Sequence, residues 1–323
     1  MSVRNLEKLF HPSSVALIGA SDRPGSIGAV VMRNLLGSGF AGPVYPVNPA
    51  HATVAGMRAW ASVAELDRAP DLALIATPPD TIPGIVSQLG ERGTKAAIVL
   101  TAGLSARRDA SGKTVEQAML DAARPFLLRI LGPNCLGLLV PPLHLNASFA
   151  HVDARPGSLA FVSQSGALTT ALLDWAQSTG IGFSHFISLG EAADVDFGDI
   201  LDYLSSDPAT SAILLYIESI REARKFMSAA RAASRNMPVI AVKAGRVAEG
   251  AKAAASHTGA LAGADDVYDA ALARAGVLRV DTTLDLFGAA ETLAHAGSSG
   301  AGACRSCSPV TATVPPPTAT PST

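Results

Sequence analysis

Residues 15–28 read Val-Ala-Leu-Ile-Gly-Ala-Ser-Asp-Arg-Pro-Gly-Ser-Ile-Gly, and this stretch decides the fold class. Its four leading apolar residues are typical of a strand that is buried on both faces of a parallel sheet. The glycines that follow permit a tight turn, and a helix is predicted to begin at about Ile27. Because the first N–H groups of a helix are free to bind phosphate, the stretch predicts an α/β fold with a phosphate-binding turn.

The same alternation of apolar run and helix-like stretch continues along the chain. The predicted strands are residues 15–19, 44–48, 72–76, 96–100 and 128–131, and then 159–163, 213–217 and 239–242. Two doubly wound parallel-sheet domains are therefore predicted, with a boundary between Pro141 and Pro156. From residue 297 the sequence is rich in Gly, Ser, Thr and Pro, so residues 297–323 are predicted to form a disordered tail.

Composition narrows the class of protein. The chain has 323 residues, of which 48% are hydrophobic and 16% charged, so it can bury two large apolar sheets. A net charge of −2 gives no electrostatic reason to expect nucleic acid or an anionic membrane as partner. The odd count of three cysteines indicates a reducing compartment, and we interpret the pair Cys304 and Cys307 as incidental. With neither a signal peptide nor a bilayer-spanning run, we expect a cytoplasmic protein.

The glycine-rich turn leaves alternatives open. A turn of this kind is often purely structural, and it also occurs in NAD-dependent dehydrogenases. An NAD site prefers an acidic residue at the end of the second strand, where this chain has Asn48. The turn therefore favours a nucleotide other than NAD.

A second glycine-containing loop, residues 132–137, reads Gly-Pro-Asn-Cys-Leu-Gly and follows the fifth predicted strand. In an open parallel sheet, loops at the carboxyl ends of strands face one crevice, so this loop is expected beside Gly19 and Thr77. It could equally be a rigid turn between domains, and both interpretations can hold. We discount Cys135 as a nucleophile because no neighbouring residue in sequence would activate its thiol.

In the second half, Ser163-Gln164-Ser165-Gly166 lies at a strand-to-helix junction. Two hydroxyls and a glycine at a helix N-terminus favour an anion site, although simple helix capping is the alternative. Glu218 ends another predicted strand and could hold an imidazole, although a glutamate at a helix start is common. The acidic side chains at 191, 194 and 196 have no metal-site spacing, so we expect them to be solvated and predict no metal site.

His257 lies in a loop of small residues, 253–263, between a predicted strand and a predicted helix at 265–275. Small residues let the backbone approach a bulky charged group closely. The loop therefore indicates a nucleophilic histidine that carries a group covalently, oriented by Glu218. The alternative is a histidine that merely fills or caps the loop.

Taken together, these motifs resemble the NDP-forming acyl-CoA synthetases, the family that includes the α subunit of succinyl-CoA synthetase. The resemblance runs from about Leu9 to about Ala296. In chain order its motifs are Gly19-Ala20-Ser21, Tyr45-Pro46-Val47-Asn48-Pro49, Gly132-Pro133-Asn134-Cys135-Leu136-Gly137, Ser163-Gln164-Ser165-Gly166, Tyr216-Ile217-Glu218 and Ser256-His257-Thr258-Gly259-Ala260.

The resemblance implies a Rossmann-like CoA-binding domain over residues 1–145 and a flavodoxin-like ligase domain over residues 146–296. It implies that CoA contacts Gly19, Ala20, Ser21, Gly28, Asn48, Thr77, Pro78 and Asn134. It also implies that His257 becomes a phosphohistidine, that Glu218 holds its imidazole, and that the phosphoryl group binds at Ser163, Ser165, Gly166 and Gly259. The family reaction converts acyl-CoA, phosphate and NDP reversibly into acid, CoA and NTP, through an acyl phosphate.

One departure from the family concerns its nucleotide-binding ATP-grasp module, for which the chain has no room. ATP or GTP with Mg²⁺ is then expected only through a separate β-like partner, and a small carboxylic acid such as acetate is the expected substrate. The final segment has the character of a truncation, a changed reading frame or a linker. Two alternatives stay open: a non-catalytic sensor of CoA or acyl-CoA, and a fragment of a related protein acetyltransferase.

Overall fold

A computed structural model describes residues 3–109, 111–245 and 265–298 of the chain. Two parallel sheets, each covered by helices, follow one another along the sequence.

The first sheet lies in the first half of the chain, where short apolar strands alternate with helices. In order the elements are α1 Glu7–Phe10, β1 Val15–Ile18, α2 Ile27–Gly37, β2 Val44–Val47, β3 Thr53–Val54, β4 Met57–Arg58, β5 Leu72–Ile75, α3 Ile82–Arg92, β6 Ala96–Val99, α4 Val115–Ala123 and β7 Arg129–Leu131. The sheet order is β2-β1-β5-β6-β7 with every pair parallel, while β3 and β4 form a separate hairpin. All residues of β1, β5 and β6 are buried, as expected for strands covered on both faces.

The second half repeats the alternation with longer strands. Its elements are β8 Gly137–Val140, β9 Leu145–Ser148, β10 Arg155–Ser163, α5 Gly166–Thr179, β11 Gly182–Ser188, α6 Phe197–Leu204, β12 Ala212–Ile217, α7 Ala223–Asn236, β13 Val239–Lys243, α8 Asp265–Ala275, β14 Leu278–Val280 and α9 Thr283–Ser298. The sheet order is β14-β13-β12-β10-β11-β8-β9. The hairpin of β8 and β9 joins antiparallel at the β11 edge, and the other five strands are parallel.

The two parallel sheets share one topology. Counted by their parallel strands alone, both have the order 2-1-3-4-5, with the first strand beside both the second and the third. This order reverses direction beside the first strand, and in doubly wound folds the ligand crevice opens at that point. The predicted fold class of two doubly wound α/β domains is confirmed.

Four strands were not predicted from the sequence in the second sheet. β11 contains Ser184 and His185 in its interior, and β14 has only three residues, so neither presents a continuous apolar run. The hairpin of β8 and β9 belongs to the second sheet although it precedes residue 149. The predicted boundary between residues 145 and 146 falls within this hairpin and stays a prediction.

A joint core holds the two sheets together. Phe10 on α1 packs its ring edge-to-face on His185 of β11, with the ring centroids 5.4 Å apart. On α2, the Asn34 amide donates to the carbonyl oxygens of Ser148 (2.9 Å) and Ala150 (2.8 Å). These contacts cross from the first half of the chain to the second, so the relative position of the two sheets is fixed by packing as well as by the connecting segment.

The end of the chain is described only to residue 298. Helix α9 ends at Ser298, so the first two residues of the predicted tail are helical. The rest of that tail, with Cys304 and Cys307, lies outside the described residues. Within the described part of the chain, every helix is too short or too polar to cross a membrane.

Candidate functional site

The first crevice opens between the carboxyl ends of β1 and β5, where Gly19 follows β1. Gly19 has φ +91°, and a side chain there would bring Cβ within 2.6 Å of the Ala76 carbonyl oxygen. A Cβ on Gly28 would lie 2.0 Å from the Gly19 carbonyl oxygen, because α2 begins directly against the turn. Both positions therefore require glycine, and the close approach brings the start of α2 to the edge of the crevice.

The rim of this crevice carries the other predicted CoA contacts. The Asn48 amide donates to the Ala20 carbonyl oxygen (2.7 Å), which ties the end of β2 to the turn after β1. The Ser21 hydroxyl accepts from the Arg23 N–H (3.0 Å). Thr77 follows β5, and its carbonyl oxygen accepts from the Thr101 hydroxyl (2.7 Å). The structure thus brings Gly19, Ala20, Ser21, Gly28, Asn48, Thr77 and the exposed Pro78 to one edge of the first sheet.

Ser26 caps helix α2, a role that the sequence analysis did not assign. Its hydroxyl accepts from the Ala29 N–H (3.2 Å) and donates to the Arg23 carbonyl oxygen (2.8 Å). A serine two residues before Gly28 in a turn is a recognisable N-cap signal, and it could have been used to place the helix start.

The loop at residues 132–137 connects the two sheets. From the first half, the Thr101 carbonyl oxygen accepts from the Asn134 N–H (3.0 Å). From the second half, the Ser188 hydroxyl accepts from the Leu136 N–H (3.0 Å) and the Glu191 N–H donates to the Pro133 carbonyl oxygen (2.9 Å). The loop is therefore a turn tied to both sheets at the carboxyl end of β7, which agrees with the turn interpretation, and its place beside Gly19 stays a prediction.

Cys135 is unsuited to nucleophilic chemistry in this structure. Its side chain is buried, and this burial raises the pKa of the thiol to about 12. A thiol of such pKa carries almost no thiolate near neutral pH. The decision to discount Cys135 agrees with this environment.

The second crevice opens between β10 and β12, where Ser163 ends β10 and Ser165 caps α5. The Ser163 hydroxyl accepts from the Ser165 N–H (3.0 Å), and the Ser165 hydroxyl accepts from the Leu168 N–H (3.4 Å). Gly166, the first residue of α5, is exposed, and a Cβ there would meet no atom within 4 Å. Ser165 therefore has the capping role that the sequence left open, whereas the Ser163 hydroxyl holds the backbone of Ser165. Gly166 leaves the helix start accessible.

Gln164 links this turn to Glu218, and the sequence analysis missed its role. Its side-chain oxygen accepts from the N–H of Glu218 (2.8 Å) and from the N–H of Ser219 (3.0 Å). The bonds cross the reversal point of the sheet and join the turn at residues 163–166 to the backbone of Glu218, the residue predicted to orient the histidine. A long-range bond of this kind has no local sequence signal, because Gln164 and Glu218 are 54 residues apart.

Lys243 is a further charged residue at this edge that was not singled out from sequence. It ends β13, is 4% exposed, and lies with its ammonium 4.7 Å from the centre of the Tyr268 ring. Burial lowers the pKa of Lys243, and the nearby Asp265 and Glu218 carboxylates oppose that change. The second crevice therefore holds a buried cation as well as a carboxylate.

The expectation that the acidic residues after β11 are solvated is wrong for two of them. Asp194 accepts from the Arg129 guanidinium (3.0 Å) and from the Ile130 N–H (2.8 Å). Asp196 caps α6 in a reciprocal capping box with Asp199. Asp194 thus stabilises the junction of the two sheets, since Arg129 belongs to β7, whereas Asp196 stabilises the start of α6 within the second half of the chain.

Two predicted site residues, His257 and Gly259, lie outside the described residues. The flanking elements are described: β13 ends at Lys243 and α8 begins at Asp265, as the sequence predicted to the residue for α8. Within the described ranges, no group of three His, Cys, Asp or Glu side chains is placed to hold a metal ion.

Comparison with known protein families identifies the two halves of the chain. Residues 13–141 match the model of a CoA binding domain, and residues 156–293 match that of a succinyl-CoA ligase like flavodoxin domain. The chain is 42% identical, over 295 residues, to the α subunit of ADP-forming acetate–CoA ligase I of Pyrococcus furiosus, covering 90% of this chain and 64% of that subunit. It is 39% identical to ADP-forming acetate–CoA ligase I of Archaeoglobus fulgidus, covering 87% of this chain and 41% of that protein.

A solved structure of an acyl-CoA synthetase also resembles this chain. The chain superimposes with a TM-score of 0.84 and 38% identity on acetyl-coenzyme A synthetase 1 of Candidatus Korarchaeum cryptofilum, solved with phosphate and ADP. That match covers 90% of this chain and 62% of the other.

The class is thus a CoA-binding domain joined to a succinyl-CoA ligase-like flavodoxin domain. The chain belongs to the NDP-forming acyl-CoA synthetase family. It spans 41% to 64% of the length of the relatives described above.

Proposed function

We propose that this chain is the α-like part of an NDP-forming acyl-CoA synthetase, which converts acyl-CoA, phosphate and NDP reversibly into acid, CoA and NTP. The observation that carries the proposal is the pair of hydrogen bonds from Glu218 and Ser219 to the Gln164 side chain. They join the start of α5 to the backbone of Glu218 at one edge of one sheet, which supports a phosphate site beside a residue that could hold a histidine.

In this proposal the first crevice binds coenzyme A. Backbone N–H groups at Ala20, Ser21 and Gly28 hold its phosphates, because a glycine turn and a free helix start together attract anions. Gly19, whose own N–H donates to the Val47 carbonyl oxygen (3.0 Å), lets the ligand approach the backbone closely. The remaining contacts are Asn48, Thr77, Pro78 and Asn134. The close packing of Gly28 on Gly19 supports this role, since it leaves the backbone rather than side chains at the ligand.

The second crevice carries the phosphoryl group. Inorganic phosphate attacks the thioester carbonyl, a carbon–oxygen bond forms, and the carbon–sulfur bond breaks to release CoA and an acyl phosphate. His257 then takes the phosphoryl group from the acyl phosphate and releases the acid, and later delivers it to the nucleotide. Glu218 holds one imidazole nitrogen so that the other is nucleophilic, and Ser163, Ser165, Gly166 and Gly259 hold the phosphoryl oxygens.

We propose that the nucleotide and its Mg²⁺ bind to an ATP-grasp partner, a β-like subunit or domain. The relatives differ in acid: two are named for acetate, and another, from Nitrosopumilus maritimus at 38% identity, is a 4-hydroxybutyrate–CoA ligase. A small carboxylic acid is therefore the proposed substrate class, in the cytoplasm.

Phosphorylation of the chain tests the proposal. The purified chain, with a β-like subunit supplied, is incubated with phosphate and acetyl-CoA, and its intact mass is measured under basic and acidic conditions. One added phosphoryl group that is stable in base and lost in acid is expected. His257→Ala should abolish it, and Glu218→Gln should slow its formation.

His151→Ala is the matched control, because His151 is an exposed histidine of the same half of the chain that bonds to Asp174. The His151→Ala variant should be phosphorylated to the same extent as the wild-type chain. A label that persists in His257→Ala would contradict the phosphohistidine. An unlabelled wild-type chain that still binds CoA would favour the alternative of a non-catalytic CoA sensor.

A further inference from the structure

Asn134 lies in the loop that links the carboxyl edge of the first sheet to the second sheet. A path of hydrogen bonds leads from Thr77 at the first crevice through Thr101 to the Asn134 backbone (2.7 and 3.0 Å). From the same loop, the Leu136 N–H donates to Ser188, and the next residue, Leu189, donates its N–H to the Ser163 carbonyl oxygen (2.8 Å). The loop thus links Thr77 at the first crevice to Ser163 at the second.

The Asn134 side chain is presented to the crevice rather than packed. The residue is exposed and has φ +57°, a conformation that asparagine tolerates better than most residues. Its amide donates one hydrogen bond, to the Glu191 carboxylate (3.3 Å). Because the amide group has two N–H bonds, a second donor is available in the crevice.

Glu191 is itself held in place by its surroundings. Its N–H donates to the Pro133 carbonyl oxygen (2.9 Å), and the preceding Gly190 packs so closely that a Cβ would lie 2.4 Å from the Asn134 carbonyl oxygen. Glu116 on α4 faces Glu191; burial raises the pKa of Glu116, and Glu191 adds to the rise while Arg221 opposes it. The Glu191 backbone is thus fixed against the loop at residues 132–137, and its carboxylate lies between Asn134 and Glu116.

We propose that the free N–H of Asn134 donates to the thioester carbonyl of acyl-CoA, and that Glu191 is the positioning residue that aims it. The proposal rests on the function proposed above and adds the group that recognises the acyl end of the substrate. As phosphate attacks, the carbonyl oxygen gains negative charge, which this N–H stabilises. When the carbon–sulfur bond breaks, the thiolate takes the proton of the attacking hydrogen phosphate, so the products are acyl phosphate and CoA thiol.

Paired titrations of CoA and acetyl-CoA into the full chain test this inference without a partner subunit. The two ligands differ by the acetyl group, so the ratio of their dissociation constants reports contacts to it. Asn134→Ala is expected to weaken acetyl-CoA binding by about 3- to 10-fold more than it weakens CoA binding, because only the acetyl ligand loses the hydrogen bond to its carbonyl.

Glu191 gives the second arm of the test. Glu191→Ala should lose most of the same preference, whereas Glu191→Gln keeps an oxygen acceptor and should lose less. Asn236→Ala is the matched control, because the Asn236 amide bonds to the Ser205 carbonyl oxygen on the outside of the second sheet. Thermal unfolding of each variant checks that the fold is retained.

An equal loss for both ligands in Asn134→Ala, or no loss for either, would overturn the inference while leaving the CoA site in place. Equal behaviour of the two Glu191 variants would overturn the positioning role. A wild-type chain that binds neither ligand would instead contradict the proposed function, and this inference with it.

Discussion

The two sheets have the same strand order but differ in what they bury. Of the buried polar and charged residues in the described part of the chain, Thr94 alone lies in the first half; the others follow residue 145. The first crevice is formed by two glycines and backbone groups, whereas the second brings a glutamine, a carboxylate and a buried lysine together. One topology thus serves two kinds of chemistry.

The difference follows from what each crevice must do under the proposed function. A crevice that binds a large anion through its backbone needs close approach and few side chains, and its strands can stay wholly apolar. A crevice that transfers a phosphoryl group needs charged side chains at fixed positions. Burying those groups has a cost, and the second sheet offsets that cost with long-range hydrogen bonds such as those to Gln164.

The largest loss of stability is expected from a substitution that disrupts the junction between the two sheets. Asp199 is 2% exposed and accepts from Arg129 of β7 (2.9 Å) and from Lys225 of α7 (2.6 Å). Asp199→Ala would leave two cations without their shared carboxylate, and it should lower the free energy of unfolding by about 3–5 kcal/mol. Denaturant unfolding measures this change.

Asp174→Ala provides its control, because Asp174 forms an exposed pair with His151. It should change the free energy of unfolding by no more than about 0.5 kcal/mol. Similar losses in the two aspartate variants would show that burial of the Asp199 pairs does not stabilise the junction.

The next largest loss of stability is expected from a substitution that disrupts the first crevice alone. Gly28→Ala forces a Cβ against the Gly19 carbonyl oxygen, so the start of α2 must shift, at a cost of about 3 kcal/mol. Weaker CoA binding should accompany the loss. Gly84→Ala, in α3 with no atom within 4 Å of the added Cβ, should change the stability by at most about 1 kcal/mol. Unchanged unfolding of Gly28→Ala would contradict the close packing.

The two sheets are also expected to differ in their sensitivity to acid, because the second sheet buries His185. Burial lowers the pKa of His185 to about 4, and His11 adds to this while Asp207 opposes it. Since the unfolded chain binds the proton near pH 6.5, the stabilising effect of neutral His185 is complete above that pH and is lost as pH falls towards 4. We expect a loss of about 2–3 kcal/mol over this window.

His185→Gln should flatten that part of the stability curve, because the group that takes up the proton is gone. Unfolding by denaturant at a series of pH values from 7 to 4 measures the slope. A slope that is the same in the variant and the wild-type chain would assign the acid sensitivity to other groups.

The smallest loss of stability is expected from a substitution in the second crevice. Gln164→Leu removes the oxygen that accepts from two backbone N–H groups, at a cost of about 1–2 kcal/mol. Gln164→Glu keeps an oxygen at this place and should cost less. If the leucine variant kept the rate of phosphorylation of the wild-type chain, the link between the phosphate turn and Glu218 would have no part in the reaction.

The sequence was sufficient to predict the first sheet, because its strands are short, apolar and separated by helices. All five predicted strands are present, and their observed ends differ from the predicted ones by a single residue. The missed β11 shows the limit: a buried strand that contains His185 and Ser184 does not produce the apolar run on which strand prediction depends.

For the candidate site, motifs indicated which loops meet but not how they are joined. Ser163, Ser165 and Glu218 were selected from sequence because each follows or precedes a recognisable element. The roles of Gln164, Lys243 and Asp199 depend on residues distant in the chain, so only the folded structure reveals them. The roles of His257 and Gly259 stay predictions.

The contacts of helix α1 determine how late in synthesis this helix can reach its final packing. The His11 imidazole lies 2.8 Å from the Tyr203 hydroxyl, and 192 residues separate the two. Protein synthesis at about 5–20 residues per second adds that length in about 10–40 seconds. During this interval Phe10 lacks the His185 and Tyr203 rings that will pack on it, so α1 reaches its final packing only long after it has been synthesised.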